Sequence, residues 1–139
     1  MPARSASAIW QGDLKSGKGT MRLGSGAFEG PYSFKTRFEG APGTNPEELL
    51  GAAHAGCFSM ALSGGLTKAG KPPKSIDTKA VVHLEGLDIT KIDLSTRVEA
   101  PGLTAAEFQA LAEDAKANCI VSKALAAVPI TLQATLVAS

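Results

Sequence analysis

Charge of one sign is scarce in this 139-residue chain, where 14 Lys and Arg stand against 13 Asp and Glu, scattered along its length. A nucleic-acid binder shows a basic stripe, and none is visible. Long apolar runs are missing too, since none approaches the roughly 18 to 20 residues of a membrane span. Residues 1–7 lack the apolar stretch of a signal peptide. A soluble, cytoplasmic protein with no nucleic-acid or membrane partner is the expectation. Aromatics are only 5% of the chain, so a core has to come from Ala, Leu, Val and Ile. At 44% apolar there is enough of them for one domain over residues 1–139. Cysteine is reduced to two. The cytosol keeps thiols reduced, so a structural staple between Cys57 and Cys119 is not expected there.

Ser5–Gln11 and Gly17–Leu23 read as two strands joined by a turn around Gly12 and Asp13. Tyr32, Phe34 and Phe38 alternate with Ser33, Lys35, Arg37 and Glu39, which predicts a third strand over Tyr32–Phe38. A strong helix start follows, with Asn45 as cap, Pro46 at the first helical position and Glu48 where a capping-box acid reaches back. That helix should run to about Ala69, ended by Gly70 and the pair Pro72–Pro73. Its segment LLGAAHAGCFSMAL is apolar nearly all round, which predicts a buried helix. Alternation then predicts a hairpin turning at Gly86. Thr104 to Glu107 reads as a capping box, a break near Asn118 precedes a short helix over Ser122–Val128, and a last strand starts at Ile130. Strands in runs rather than singly between helices argue an α+β fold of antiparallel strands around a long buried central helix. One short chain covers such a helix poorly, and a dimer centred on two of them would cover it.

Cys57 lies midway along that helix, on the face of Leu50, Ala53, His54 and Met60. It reads either as a small core thiol or as a reactive one. Cys119 sits where a new helix begins, and a helix start lowers a thiol pKa. It reads as a loop cysteine or as half of a redox pair. His54, Cys57, His83 and Cys119 match a zinc inventory in number, but their spacings are not those of a zinc finger. Arg37 falls on a charged strand face, and Glu47 and Glu48 open the helix, where the dipole favours carboxylates.

The stretches RFEG at 37–40, TNPEELLGAAHAGCFSMAL at 44–62 and AKANCIVSKAL at 115–125, with WQGDLKSGKGT at 10–20, give a whole-chain match. The sequence resembles the OsmC/Ohr family of thiol-dependent peroxidases, in its osmotically inducible OsmC branch. The resemblance implies an intertwined homodimer that reduces hydroperoxides, often organic ones in preference, as part of oxidative and osmotic stress defence. It maps the reactive cysteine onto Cys57, the resolving cysteine onto Cys119, and the family's arginine and glutamate onto Arg37 and Glu47. It implies no metal, haem or flavin, and electrons from an external dithiol. Family members commonly carry proline directly after the second cysteine, where this chain has Ile120.

The implied chemistry suits these residue types. Burial opposes a thiolate on Cys57, and a guanidinium held by Glu47 counters it. Glu47 and Cys57, ten positions apart on one helix, are separated by roughly 15 Å of rise at about 1.5 Å per residue. That predicts sites shared between two antiparallel copies. The competing reading is a thiol-based sensor or binding protein on the same scaffold, and a third is a structural metal protein.

Overall fold

The computed structural model describes residues 2–137 and divides into two compact units, one up to Leu49 and one from Leu50 on. In the first, β1 (Ala6–Gln11), β2 (Lys18–Leu23) and β3 (Glu29–Tyr32) form an antiparallel meander in that order. Gly19 sits opposite both Trp10 and Tyr32. A Cβ there would come within 2.8 Å of both rings. With no side chain at 19, Trp10 and Tyr32 meet across β2 at a centroid distance of 5.5 Å.

The strand predicted over Tyr32–Phe38 is corrected by the structure. β3 ends at Tyr32, and Phe34–Phe38 is a short helix, α1. Ser33 caps it by accepting the Thr36 N–H at 3.2 Å, while Thr36 Oγ1 accepts the Ser33 N–H at 2.8 Å. Thr36 is also where the alternation lacks an apolar residue. Phe34 and Phe38 are instead a helical i,i+4 pair, with ring centroids 4.9 Å apart.

The long helix α2 spans Pro46–Lys68, with Asn45 Oδ1 accepting the Glu48 N–H at 2.7 Å. By length and composition it is apolar enough to cross a membrane, contrary to the reading that no such run exists. In the second unit its Phe58, Leu62 and Leu66 pack with Ile92, Leu94, Val98, Phe108 and Ala112 into the core. The helix is not buried all round. Ala52, Ala53, Gly56, Met60 and Gly64 form an exposed stripe, and a Cβ at Gly56 or Gly64 would meet nothing within 4 Å.

β4 (Ser75–Glu85) and β5 (Asp88–Glu99) form the expected hairpin, turning through Gly86 at φ +62. β6 (Ile130–Val137) lies on the other side of β5 and pairs parallel to it, against the expectation of antiparallel strands throughout. The chain from β5 to β6 runs through α3 (Ala105–Asn118) and α4 (Ile120–Ala124), and such a crossover returns it in the original direction. α4 starts two residues earlier than predicted and ends sooner, with Cys119 between the two helices. The fold class is α+β. A Leu62→Ala substitution should lower stability by about 2–5 kcal/mol, as cavity-forming core truncations do. Exposed Leu87→Ala should change it by less than about 0.5 kcal/mol. Urea unfolding followed by circular dichroism at 222 nm checks both.

Candidate active site

Two clusters gather the four predicted residues, one in each unit. In the first, α1 presents Arg37 and the first turn of α2 presents Glu47. Arg37 Nε donates to Glu47 Oε1 at 3.0 Å and Nη2 to Oε2 at 2.9 Å, a bidentate fork. Glu47 is buried, while 41% of the Arg37 side chain is exposed. Two of the five guanidinium donors serve the fork, leaving three for another acceptor. The spacing between the helices is set by Asn45, which donates through Nδ2 to the Thr36 carbonyl at 3.2 Å while capping α2. Asn45 was visible in the sequence only as a cap. Its second bond depends on α1 being helical.

In the second unit Cys57 and Cys119 are brought next to each other, near enough that each shifts the other's titration, both as free thiols. Cys57 is half-buried in mid-helix, whereas Cys119 is 1% exposed. Cys119 ends α3, its N–H donating to the Ala115 carbonyl at 2.9 Å, and starts α4. Backbone N–H groups of the first turn of α4 therefore face the sulfurs, Ile120 and Val121 toward Cys57, Val121 and Ser122 toward Cys119. Burial pushes the Cys57 thiol up, and the neighbouring Cys119 sulfur acts in the same direction. Burial also acts upward on Cys119, but the neighbouring Cys57 thiol and the Ser122 amide and hydroxyl outweigh it and bring Cys119 down. Within the pair a thiolate is thus favoured on Cys119 over Cys57.

The helix-face expectation holds only in part. Leu50 is half-buried and His54 buried, while Ala53 and Met60, one turn to either side of Cys57, are exposed, Met60 by 79%. Sequence reasoning missed Ser122 altogether, since a serine five residues into a loop-and-helix segment carries no motif. His54, one of the four residues of the zinc inventory, is fully buried, with Nε2 2.7 Å from Ser122 Oγ. His83 pairs with Asp93 at 2.7 Å instead. Among the described residues no group of three or more His, Cys, Asp or Glu is arranged to hold a metal ion.

The OsmC-like protein family model matches residues 38–133. Peroxiredoxin OsmC of Escherichia coli (strain K12) is 54% identical over 125 residues, covering 86% of this chain and 87% of that one. An OsmC-like protein of unknown function from Vibrio cholerae shares the fold at a TM-score of 0.75 and 17% identity, over 96% of this chain and 99% of that one. The organic hydroperoxide resistance protein OhrB of Bacillus subtilis does so at 0.64 and 23% identity, over 96% and 98%. The chain belongs to the OsmC family.

One consequence of the site concerns pH. Burial lowers the pKa of His54, so the fold keeps the ring neutral. As pH falls through the ordinary histidine range, near 6.5, the unfolded chain takes up the proton first. The contribution of His54 to stability is therefore present above that range and lost below it. The urea midpoint should fall between pH 7 and pH 5 by more in wild type than in His54→Gln, which has no proton to gain. Equal falls would show that His54 titrates alike in both states.

Proposed function

We propose that this chain is a thiol-dependent peroxidase of the peroxiredoxin type, with Cys57 as the attacking thiol and Cys119 as the resolving thiol. The nearness of these two cysteines carries the reading, and kinship to Peroxiredoxin OsmC supports it. Cys57 is the more exposed of the two, so peroxide meets it first. Its thiolate attacks the terminal oxygen of ROOH and the O–O bond breaks. Cys57 becomes a sulfenic acid, and the alkoxide takes up a proton and leaves as alcohol, or as water from hydrogen peroxide. The Cys119 thiolate then displaces hydroxide from the sulfenic sulfur, closing a disulfide, and the hydroxide leaves as water after protonation. An external dithiol reopens the disulfide by two exchanges and is itself oxidised. This chemistry draws on thiols and an arginine alone, with no metal, haem or flavin. A cytoplasmic setting supplies the reductant, and the role is defence under oxidative and osmotic stress.

Burial opposes the Cys57 thiolate, so the first step needs a cation. We assign it to Arg37, steadied by Glu47, from a second copy of the chain. Ten residues along α2 separate Glu47 from Cys57, roughly 15 Å at about 1.5 Å per residue. The exposed stripe through Gly56, Met60 and Gly64 offers a close-approach face for a partner helix. A two-fold dimer then repeats the site, and the two units serve as one OsmC-like domain. Ala53 and Met60 beside Cys57 give an alkyl group apolar ground, which favours organic hydroperoxides.

Cys57→Ser should abolish peroxide consumption. Cys119→Ser should oxidise once and then accumulate sulfenic or over-oxidised Cys57, seen by mass spectrometry. Equal turnover of the two variants with excess dithiol would reverse the assignment, and wild-type consumption that stops after one equivalent would favour a sensor. Mixing inactive Arg37→Ala/Glu47→Ala chains with inactive Cys57→Ser chains, then unfolding and refolding them together, should restore activity, because one site of each heterodimer is complete. Heterodimers without activity would place each site within one chain.

A further inference from the structure

The steps above give His54 no task, although it stands one turn before Cys57 and is completely buried. Its Nε2 lies 2.7 Å from Ser122 Oγ, while Nδ1 is buried without a hydrogen-bond partner. Ser122 is buried as well and stands one turn after Cys119, the residue that starts α4, which places its hydroxyl beside that sulfur. The four side chains form a line: His54, Ser122, Cys119, Cys57. An orphaned N–H is rarer and costlier in protein interiors than an acceptor left without a donor. The ring proton therefore belongs on Nε2 and the bare lone pair on Nδ1. That tautomer sets the direction of the line. His54 Nε2–H donates to Ser122 Oγ, so the Ser122 proton is turned toward the Cys119 sulfur. A leucine at 54 would fill apolar space without leaving a buried polar atom unpaired, so the histidine is spent on this hydrogen bond.

We propose that His54 is a positioning residue for the resolving thiol, holding the Ser122 hydroxyl as a donor to the Cys119 sulfur whenever that sulfur carries negative charge. The inference rests on the reading of Cys119 as the resolving thiol. The charge appears twice in the cycle. When the disulfide closes, the Cys119 thiolate forms the S–S bond and hydroxide departs from Cys57, leaving as water with a proton from solvent. When the reductant attacks the more exposed Cys57 sulfur, a new S–S bond forms there, the old one breaks, and Cys119 leaves with the electron pair. The Ser122 donor favours Cys119 as the leaving sulfur in that exchange. It also directs the reductant to Cys57, because the better-stabilised thiolate is the one expelled.

The test is a single turnover with one equivalent of cumene hydroperoxide. Cys57 sulfenic acid is trapped with dimedone at intervals, and disulfide is followed by counting free thiols. In His54→Leu and in Ser122→Ala the closure rate should fall roughly tenfold more than the rate of Cys57 oxidation, the scale set by losing a hydrogen bond to a charged group. Sulfenic acid should accumulate in both. His54→Gln, which restores an N–H near the Nε2 position, should recover most of the closure rate. The inference is overturned if His54→Gln is as slow as His54→Leu, if both rates fall together as packing damage would make them, or if closure keeps pace in the variants. Wild-type protein that consumes peroxide yet forms no Cys57–Cys119 disulfide would show a different failure, that of the thiol pair itself, and would remove the inference with it.

Discussion

A cysteine in the middle of an α-helix has no backbone amide of its own to offer a thiolate, because each N–H there is committed to the carbonyl four residues back. Cys57 is in that position, and burial adds a second penalty on its charge. The second unit answers this constraint at the break between α3 and α4, which leaves amides near both sulfurs. In the first unit the capped α1 and the Asn45 clamp hold a guanidinium in a bidentate fork that leaves three of its donors free for another acceptor.

The β4–β5–β6 sheet supplies the rigidity that this arrangement needs. Ser59, two residues after Cys57, donates to Thr78 at 2.8 Å, and Thr78 and Thr96 share a bond at 2.9 Å. These bonds pin the helix laterally where Phe58 and Leu62 anchor it by burial. On the opposite side Gln109 of α3 donates to the Ala134 carbonyl of β6 at 2.9 Å. The segment that carries Cys119 is thus tied to the same sheet as the helix that carries Cys57. Two sulfurs distant in sequence meet because both are fastened to one platform.

Features decided by a few neighbouring residues were legible in the sequence. The Asn45 and Thr104 caps, the stop at Gly70 and the turn at Gly86 all depend on local backbone chemistry, and each is where the residue types place it. Residues 34–38 misled because Phe34 and Phe38 fit both a period of two and a spacing of four. The tie is broken by the Ser33–Thr36 capping box. The parallel placement of β6 and the meeting of Cys57 with Cys119 are non-local, and no periodicity encodes them. Arg37 and Glu47 stood out through the resemblance alone, since on residue grounds each had an ordinary explanation. Ser122 carried no signal, because its importance lies in which atoms surround it.

The close approach of Trp10 to Tyr32 has an optical consequence. They are the single tryptophan and the single tyrosine of the chain, and both lie in the first unit, with their rings 5.5 Å apart. Tryptophan and tyrosine emission therefore originates entirely from the β1–β3 meander, and Tyr32 is close enough to pass its excitation to Trp10. The unit that holds both thiols is dark at those wavelengths. A fluorescence melt of this protein records the loosening of one unit, while the helical dichroism is dominated by α2 and α3. Any temperature gap between the two signals measures how independently the halves of the chain come apart.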